Sequence, residues 1–391
     1  MEKYGILSLQ DYRKQIENCV NCYCGLCNKN CPAYMEYRNA GVSPRGLSEI
    51  ALALSQGVYD ISDLSDEILY SCVGCRACEW YCSENVYLQD KTRNNLVSPA
   101  TIAEILRSIK VESGTVHPAV RDALNNIVRH GNPYGGLAVE KDEWVKGLEI
   151  KDNQSKTILY VGSLVPYEDN AKVMAEATVQ ILKISGVDFA ILGSKEMDSG
   201  ANARMLGEEG LFEEMVEQNL ELFQKNKVEK IICISPHDYD AFVNYYEGID
   251  DIEIVHYTQV LWDIISSRQI NLKKRIEKKV AFHDPCYLGR RSEIYDEPRN
   301  ILGSIPSLRL VELEFSRGNS FCCGGGGTGL WMDLPSVHID LRRADQIHDA
   351  EIECVAVACP ICYTMLQAAM KSREYQIEVK DVSQLVKDSL S

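Results

Sequence analysis

The sequence predicts an α + α/β fold, in which an α-helical N-terminal domain precedes two tandem α/β repeats. Two dense cysteine blocks in the first third are connected by segments with the periodicity of helices. From Lys156 onward, short apolar runs alternate with longer amphipathic ones, and this alternation occurs twice. The predicted boundaries are a helical domain at residues 1–130, a linker at 131–155, a first repeat at 156–272 and a second repeat at 273–391.

Composition and charge narrow the classes of protein. A chain of 391 residues is long enough for two or three separate cores. Its net charge of −16 argues against a nucleic-acid-binding protein, which would be basic, and suits docking to a basic partner surface. No apolar run approaches the roughly 18 residues that span a bilayer. The sequence therefore predicts no direct membrane span, and any membrane association is expected to come through a partner subunit.

The chain has 16 cysteines, which is a high number for its length. Small secreted proteins use many cysteines in disulfides, but residues 1–11 lack the basic start and apolar run of a signal peptide. We therefore expect a cytoplasmic protein whose cysteines are reduced and largely bound to metal.

The second cysteine block has the spacing of the bacterial ferredoxin run. Cys72, Cys75, Cys78 and Cys82 follow the pattern C-x2-C-x2-C-x3-C, although a serine stands where proline usually follows. In that arrangement three cysteines hold one [4Fe–4S] cubane and the fourth crosses to another. We therefore expect Cys31 to complete the cubane of Cys72, Cys75 and Cys78, while Cys82 joins the first block on a second cubane.

The first block is irregular and has one cysteine more than a second cubane needs. Its cysteines are Cys19, Cys22, Cys24, Cys27 and Cys31, the last of which precedes a proline. The sequence leaves open whether Cys19, Cys22 or Cys24 is the spare residue. Two zinc sites are the competing interpretation, but the x2, x2, x3 rhythm that ends in proline is more typical of cubanes.

Helices are expected between and after the two blocks. Pro44 predicts a helix start between them, and residues 101–110 and 118–129 carry two further helical patterns. The glycines and proline of residues 131–136 break regular structure, so the linker is expected to begin there.

The α/β region reads as one unit repeated at an offset of about 122–124 residues. In the first repeat the predicted strands are 157–161, 187–192, 230–235 and 253–256. In the second repeat they are 280–283, 308–313, 353–358 and 376–379.

The second repeat carries five cysteines that the three loops after its first three strands are expected to bring together. They are Cys286, Cys322, Cys323, Cys359 and Cys362, with 35 residues between Cys286 and Cys322 and again between Cys323 and Cys359. One metal ion needs at most four such ligands, so five thiols indicate a cluster with several irons. A phosphate-binding loop or a flexible linker would not need five cysteines at matched spacing.

Four glycines follow the paired cysteines. We expect Gly324, Gly325 and Gly326 to bind the cofactor, because they accept positive φ and their N–H groups can point at sulfur. In the first repeat the five cysteine positions hold other residues, namely Leu164, Asp198, Ser199, Ser235 and Asp238. The first repeat is therefore predicted to be a scaffold without a metal, in which Asp198 and Asp238 either are solvated or cap a helix, or else retain a polar role.

The cysteine pattern of the second repeat resembles the CCG domain of heterodisulfide reductase. The whole chain resembles the D-type subunit of that enzyme, in which a ferredoxin domain precedes two CCG repeats, and its N-terminal third resembles the α-helical ferredoxin domains of succinate dehydrogenase and heterodisulfide reductase. The resemblance implies that the five cysteines hold a noncubane [4Fe–4S] cluster, at which a disulfide is cleaved in two one-electron steps. Because only one repeat keeps its cysteines, the chain is most similar to D-like subunits of sulfate-reducer redox complexes.

The resemblance implies an oxidoreductase acting on sulfur groups, in which two cubanes feed a noncubane cluster that reduces or forms a disulfide. The expected partners are a membrane cytochrome or a flavoprotein, together with a thiol or disulfide substrate. His283 is expected either to donate a proton to a leaving thiolate or to serve only as a hydrogen-bonding neighbour of the cysteines. A disulfide-cleaving centre must be open to its substrate.

The main alternative is an electron-relay subunit of a flavin dehydrogenase for glycerol 3-phosphate or a 2-hydroxy acid. In that case the chain has no substrate chemistry of its own, and its last cluster can be enclosed. A structural or metal-storage role has little support in the sequence.

Overall fold

The computed structural model describes residues 8–83, 98–148, 150, 155–332, 334 and 338–390. The N-terminal region is helical, as predicted. Its helices are α1 (Arg13–Val20), α2 (Pro32–Tyr37), α3 (Pro44–Ser55), α4 (Asp66–Tyr70), α5 (Ala77–Ser83), α6 (Pro99–Glu112) and α7 (Pro118–His130).

Helix α3 organises the N-terminal region. It begins at Pro44, as predicted, because a proline at the first helical position sacrifices no hydrogen bond and the Ser43 hydroxyl accepts from the Gly46 N–H. Its buried Leu47 and Ala51 belong to one core with residues of α6. The helical connection between the two cysteine blocks is therefore a packed element, which fixes the distance between the blocks.

The first repeat contains a parallel sheet in the order β1–β2–β3. Its strands are β1 (Thr157–Tyr160), β2 (Lys230–Cys233) and β3 (Glu253–His256). The predicted strand at 187–192 is wrong, because only Ala190 forms a bridge, with Ile158. Beyond that bridge the Glu196 carboxylate accepts from the N–H groups of Val161 and Gly162, at the place where a longer strand would have paired.

The second repeat contains a parallel sheet in the order β5–β4–β6–β7. Its strands are β4 (Lys279–Phe282), β5 (Arg309–Val311), β6 (Cys354–Val357) and β7 (Glu378–Asp381). The strand order matches that of the first repeat when the Ala190 bridge is placed opposite β5. The two α/β units thus share one topology, which confirms the predicted tandem arrangement. The exact boundaries between the units stay predictions.

Helices cover both sheets. They are α8 (Glu140–Glu143), α9 (Asp169–Ile184), α10 (Ala201–Leu206), α11 (Glu209–Lys225), α12 (Pro236–Asn244), α13 (Tyr257–Ser266), α14 (Asp296–Gly303), α15 (Ile339–His348), α16 (Pro360–Ser372) and α17 (Val382–Ser389). Among the residues that the structure describes, none of these helices combines the length and apolar character needed to cross a bilayer.

The segment predicted as a linker packs onto the first repeat. The Asn132 side chain accepts from the N–H of Gly136, Lys141 donates to the Glu196 carbonyl at 2.5 Å, and Trp144 is buried in the core. Residues 149 and 151–154, at the end of the predicted linker, lie outside the described part of the chain. The described part of this segment therefore holds the helical region against the first repeat.

One arginine connects all three regions. The guanidinium of Arg291, only 1% exposed, pairs with Glu104 of α6 at 3.4 Å and with Asp240 of α12 at 3.2 Å. The same guanidinium donates to the carbonyl of Gly74 in the second cysteine block. A buried charge is tolerated only when it is paired and hydrogen-bonded, so the helical domain and both repeats must adopt a fixed arrangement around this side chain.

Replacing Arg291 with methionine should destabilise the protein by about 3–5 kcal/mol, because two buried carboxylates would lose a common partner. The midpoint of urea denaturation measures this effect. The matched control is Arg373→Met, whose partner Asp345 is 40% exposed, and which should change stability by less than about 1 kcal/mol. Equal midpoints for the two variants would contradict the connecting role of Arg291.

Candidate metal centres

The five cysteines of the second repeat lie together. The chain leaves each parallel strand at the same edge of the sheet, so the loops after β4, β5 and β6 converge there. The Sγ atoms of Cys286 and Cys322 are 4.0 Å apart, and those of Cys323 and Cys362 are 3.3 Å apart. Cys322 also contacts Cys323, and Cys362 contacts Cys359. The five side chains form one continuous group of thiols, called here the CCG thiol group.

The CCG thiol group is enclosed. None of its five residues is more than 7% exposed. One ring nitrogen of His283 and the sulfurs of Cys323 and Cys362 lie within 4.8 Å of one another. Five soft sulfur donors at these separations exceed the needs of a single ion and suit a cluster of several irons.

The glycine run after Cys323 serves two purposes. Gly324 has φ +90° and its N–H points at the Cys322 sulfur at 3.4 Å, while its role in binding a cofactor stays a prediction. The sequence predicted that Gly324, Gly325 and Gly326 are glycines because they accept positive φ. Gly325 and Gly326 do not have positive φ, so this explanation is wrong for them. A Cβ at Gly326 would lie 2.3 Å from the carbonyl oxygen of Val73, so this glycine is needed for close contact with the second cysteine block.

Cys31, Cys72, Cys75 and Cys78 line one small cavity. Its volume is about 30 Å³, and its other walls are largely apolar side chains from α2, α3 and α6. Cys75 is buried and the other three are partly buried. The structure thus brings together the four cysteines that the spacing assigned to one cubane, and their role as ligands stays a prediction.

The remaining N-terminal cysteines form a second group. Burial raises the pKa of Cys27 to about 12, and the neighbouring thiols of Cys19, Cys24, Cys22 and Cys82 contribute to the increase. The sulfurs of Cys22 and Cys24 are 3.4 Å apart, and Cys24 is exposed. All five candidates for the second cubane therefore lie together, with Cys24 at the protein surface.

Cys31, Cys72, Cys75 and Cys78 are called here the first N-terminal group. Cys75 links this group to the CCG thiol group. Its thiol lies next to the Cys322 thiol, and this neighbour, together with the Arg290 charge, lowers the pKa of Cys75 to about 6. Arg290 also connects the two loops, because Nε donates to the Cys75 carbonyl and Nη1 to the Ser320 carbonyl, each at 2.6 Å. Sequence reasoning missed Arg290, although its place four residues after Cys286 was visible.

His283 is held in one orientation. Arg343 is fully buried in α15, and its Nε donates to His283 Nδ1 at 3.1 Å. Because Nδ1 accepts this hydrogen bond, a neutral His283 carries its proton on Nε2. Burial lowers the pKa of His283, which keeps the ring neutral at pH 7. No sequence pattern had indicated Arg343.

In the first repeat, hydrogen-bonded serine and aspartate side chains lie where the second repeat has its CCG thiol group. Ser163 donates to Asp198 at 2.6 Å, and Ser199 donates to Asp238 at 2.5 Å. Both aspartates are buried, so the expectation that they are solvated is wrong, whereas Asp198 does accept from the Gly200 N–H at the start of α10. Buried carboxylates need partners, and the serines at or beside the lost thiol positions supply them.

A surface cavity of about 410 Å³ lies near the CCG thiol group. Gly324, directly after Cys323, is in its wall together with Tyr70, Trp331 and Met365. None of the five CCG thiols lines this cavity. The cavity therefore reaches Gly324 but does not reach the sulfur atoms of the CCG thiol group.

Comparison with known proteins finds a CCG cysteine-rich domain at residues 161–237 and again at 280–367, and a 4Fe-4S dicluster domain at residues 15–86. The chain is thus similar to CCG-domain iron–sulfur proteins. The 4Fe-4S dicluster match lies over both N-terminal cysteine blocks and supports the binding of [4Fe–4S] clusters there. The match at 161–237 covers the repeat without cysteines, which supports its descent from a cluster-binding unit.

Three relatives illustrate the range of the family. A probable iron-sulfur-binding oxidoreductase of Bacillus subtilis is 30% identical, over 100% of this chain and 62% of the relative. The EtfAB:quinone oxidoreductase of Syntrophomonas wolfei is 27% identical, over 98% and 60%. The D-type subunit of the dihydromethanophenazine:CoB–CoM heterodisulfide reductase of Methanosarcina barkeri is 24% identical, over 96% and 94%. The chain thus spans about three fifths of the first two relatives.

Replacing Gly326 with alanine should destabilise the contact between the two loops by about 1–3 kcal/mol, because the added Cβ meets backbone rather than a movable side chain. Thermal unfolding followed by circular dichroism measures the loss. Gly303→Ala is the control, since a Cβ there meets nothing within 4 Å and alanine is the better helix former. A Gly326→Ala protein as stable as this control would contradict the close approach.

Proposed function

We propose that this chain is an iron–sulfur electron-transfer protein with three clusters. Cys31, Cys72, Cys75 and Cys78 would hold one cubane, and Cys82 with the first block a second. The CCG thiol group would hold a noncubane [4Fe–4S] cluster. When bound, such clusters supply the transfer of one electron at a time.

The contact between the thiols of Cys75 and Cys322 carries this proposal. Cys75 belongs to the first N-terminal group, and Cys322 belongs to the CCG thiol group. Arg290 fixes their backbones relative to each other through its bonds to the carbonyls of Cys75 and Ser320. Two clusters held by these neighbouring groups of thiols would be close enough to exchange electrons with each other.

The protein around the CCG thiol group suits a relay better than an open catalytic site. Its five thiols are enclosed, which satisfies a relay but leaves little room for a disulfide at the sulfurs. The buried cations Arg290 and Arg343 lie beside the thiols and favour added negative charge there. Exclusion of water and nearby positive charge are two means by which a protein sets the potential of a cluster.

The redox partner is proposed from the relatives and the surface. EtfAB:quinone oxidoreductase acts, by its name, between EtfAB and a quinone, and this chain spans 60% of it. We place a flavoprotein at one end of the relay in this chain as well. Cys24 is exposed, so the group of Cys19 to Cys27 with Cys82 is the natural point for a partner to approach.

Anaerobically purified protein should contain about twelve irons, from three clusters of four. The variant Cys75→Ala should lose about four of them, and after photoreduction the electron should reach the third cluster at least about tenfold more slowly than in the unmodified protein. Stopped-flow absorbance and EPR measure both quantities.

The control for this experiment is Cys354→Ala, which alters a buried strand cysteine away from the three groups and should keep all three clusters. An unmodified protein with iron for two clusters only would overturn the three-cluster proposal. Unchanged electron transfer in Cys75→Ala would remove Cys75 from the route.

Disulfide reduction is the second candidate, favoured by the cavity beside Gly324 and by the likeness to the heterodisulfide reductase of Methanosarcina barkeri over nearly the whole of both chains. The reaction would consume two electrons from the partner and two protons, and would cleave one S–S bond to give two thiols. The protons would come from solvent, and His283, with its hydrogen on Nε2 and beside Cys323, is placed to donate a hydrogen bond to a thiolate formed there.

Oxidised protein incubated with a thiol should show a new EPR signal that is absent without thiol, if this second candidate is correct. Cys323→Ser should abolish that signal and leave both cubane signals in place. Redox-active cubanes without any response to thiol would rule out disulfide chemistry and leave the relay intact.

A further inference from the structure

The repeat without cysteines places a histidine against the centre of the other repeat. His237 lies in the first turn of α12, and its Nδ1 is 4.0 Å from the sulfur of Cys359. Its ring stacks on the ring of Tyr287, directly after Cys286, with centroids 3.9 Å apart. His237 is 6% exposed, so both its position and its orientation are fixed by protein contacts.

The repeat alignment explains how His237 reaches this place. Ser235 and Asp238 occupy the positions of Cys359 and Cys362, so His237 corresponds to Ile361. Ile361 lies in the first turn of a helix that contributes a cysteine to its own repeat, whereas the matching turn of α12 faces across the boundary between the repeats. The first repeat lost its thiols but still presents one polar group to the CCG thiol group.

The chemistry of a ligated cysteine determines which way the hydrogen bond runs. A sulfur bound to iron is a thiolate and has lone pairs but no proton. A ring nitrogen facing it is favourable only as a donor, so Nδ1 must carry the hydrogen. Nε2 of His237 has no hydrogen-bond partner among the described residues, so Nδ1 is the ring nitrogen that faces an acceptor.

We propose that His237 is a positioning residue of the CCG thiol group, which donates from Nδ1 to the Cys359 sulfur and raises the reduction potential of the cluster held there. The inference rests on the proposed three-cluster function. A hydrogen bond to a ligand sulfur stabilises the more negative, reduced state, so its loss makes reduction less favourable.

A second buried histidine in the same repeat provides the matched control. His256 is fully buried, and its Nε2, like that of His237, has no hydrogen-bond partner among the described residues. Its Nδ1 lies 2.8 Å from the Thr258 hydroxyl rather than near a cysteine. Replacement of His256 therefore removes a similarly buried imidazole, with a similar expected effect on stability, but changes no contact with the thiols.

The experiment is an EPR-monitored redox titration of the complete, cluster-loaded chain. His237→Leu should lower the equilibrium constant for reduction of the third cluster at least about tenfold, which corresponds to about 59 mV for one electron. His237→Asn keeps an N–H near the position of Nδ1 and should restore most of the loss. His256→Leu should leave the potential of the third cluster unchanged, and all variants should keep unaltered cubane potentials.

Iron content and the cubane EPR signals distinguish a failure of the proposed His237 role from a failure of the proposed three-cluster function. A His237→Leu protein with three clusters and an unchanged third potential would overturn the role of His237 and leave the three-cluster function standing. A third cluster absent even from the unmodified protein would overturn that function itself. If His237→Leu lost its third cluster, the potential would be read from His237→Asn and His237→Gln. A lower potential in Gln than in Asn would support donation from Nδ1, and equal potentials would contradict it.

Discussion

The structure depends on the close contact between the loop of the second cysteine block and the loops of the second repeat. Gly326 and Gly327 allow this contact because a Cβ on either would collide with the carbonyl of Val73 or Cys72. Arg290 then closes the contact by donating to Cys75. The carbonyls of Cys75 and Ser320 thus accept from one buried arginine, and the two groups of thiols cannot move apart without leaving that charge without its hydrogen bonds.

The two repeats share one fold but bury different side chains at the carboxyl edge of the sheet. In the second repeat, five sulfurs meet at the carboxyl edge of the sheet. At the same edge of the first repeat, serine hydroxyls and aspartates occupy the space and satisfy one another, with Ser199 donating to Asp238. Burial raises the pKa of Asp238 well above its usual range and so favours the neutral acid at the position that corresponds to Cys362.

The first repeat is more than a spacer, because it completes the surroundings of the CCG thiol group. Asp240 of α12 pairs with Arg291, and His237 from the same helix reaches Cys359. Helix α12, which matches the helix after Cys359 in the second repeat, thus contacts the neighbouring group of thiols. This arrangement gives a physical reason for keeping the repeat after its thiols were replaced.

The sequence alone predicted the fold class and the groups of cysteines, because both depend on the spacing of residues that are close in the chain. Helical and strand periodicities depend on neighbouring residues, and the x2, x2, x3 rhythm fixes which thiols share a turn. The strand at 187–192 failed because apolar content cannot show that Glu196 takes the hydrogen bonds of the adjoining backbone. The fates of Asp198 and Asp238 were missed for the same reason, since their partners are brought together only by the sheet.

The tertiary structure alone decided the contact of Cys75 with Cys322, the orientation of His283 and the place of His237. Each of these joins residues that are remote in sequence, such as Arg343 with His283 and His237 with Cys359. Spacing in a sequence can assign ligands within one loop or one repeat. It carries no information about which loops of different domains meet, because that is set by the packing of whole elements and by buried charges that must find partners.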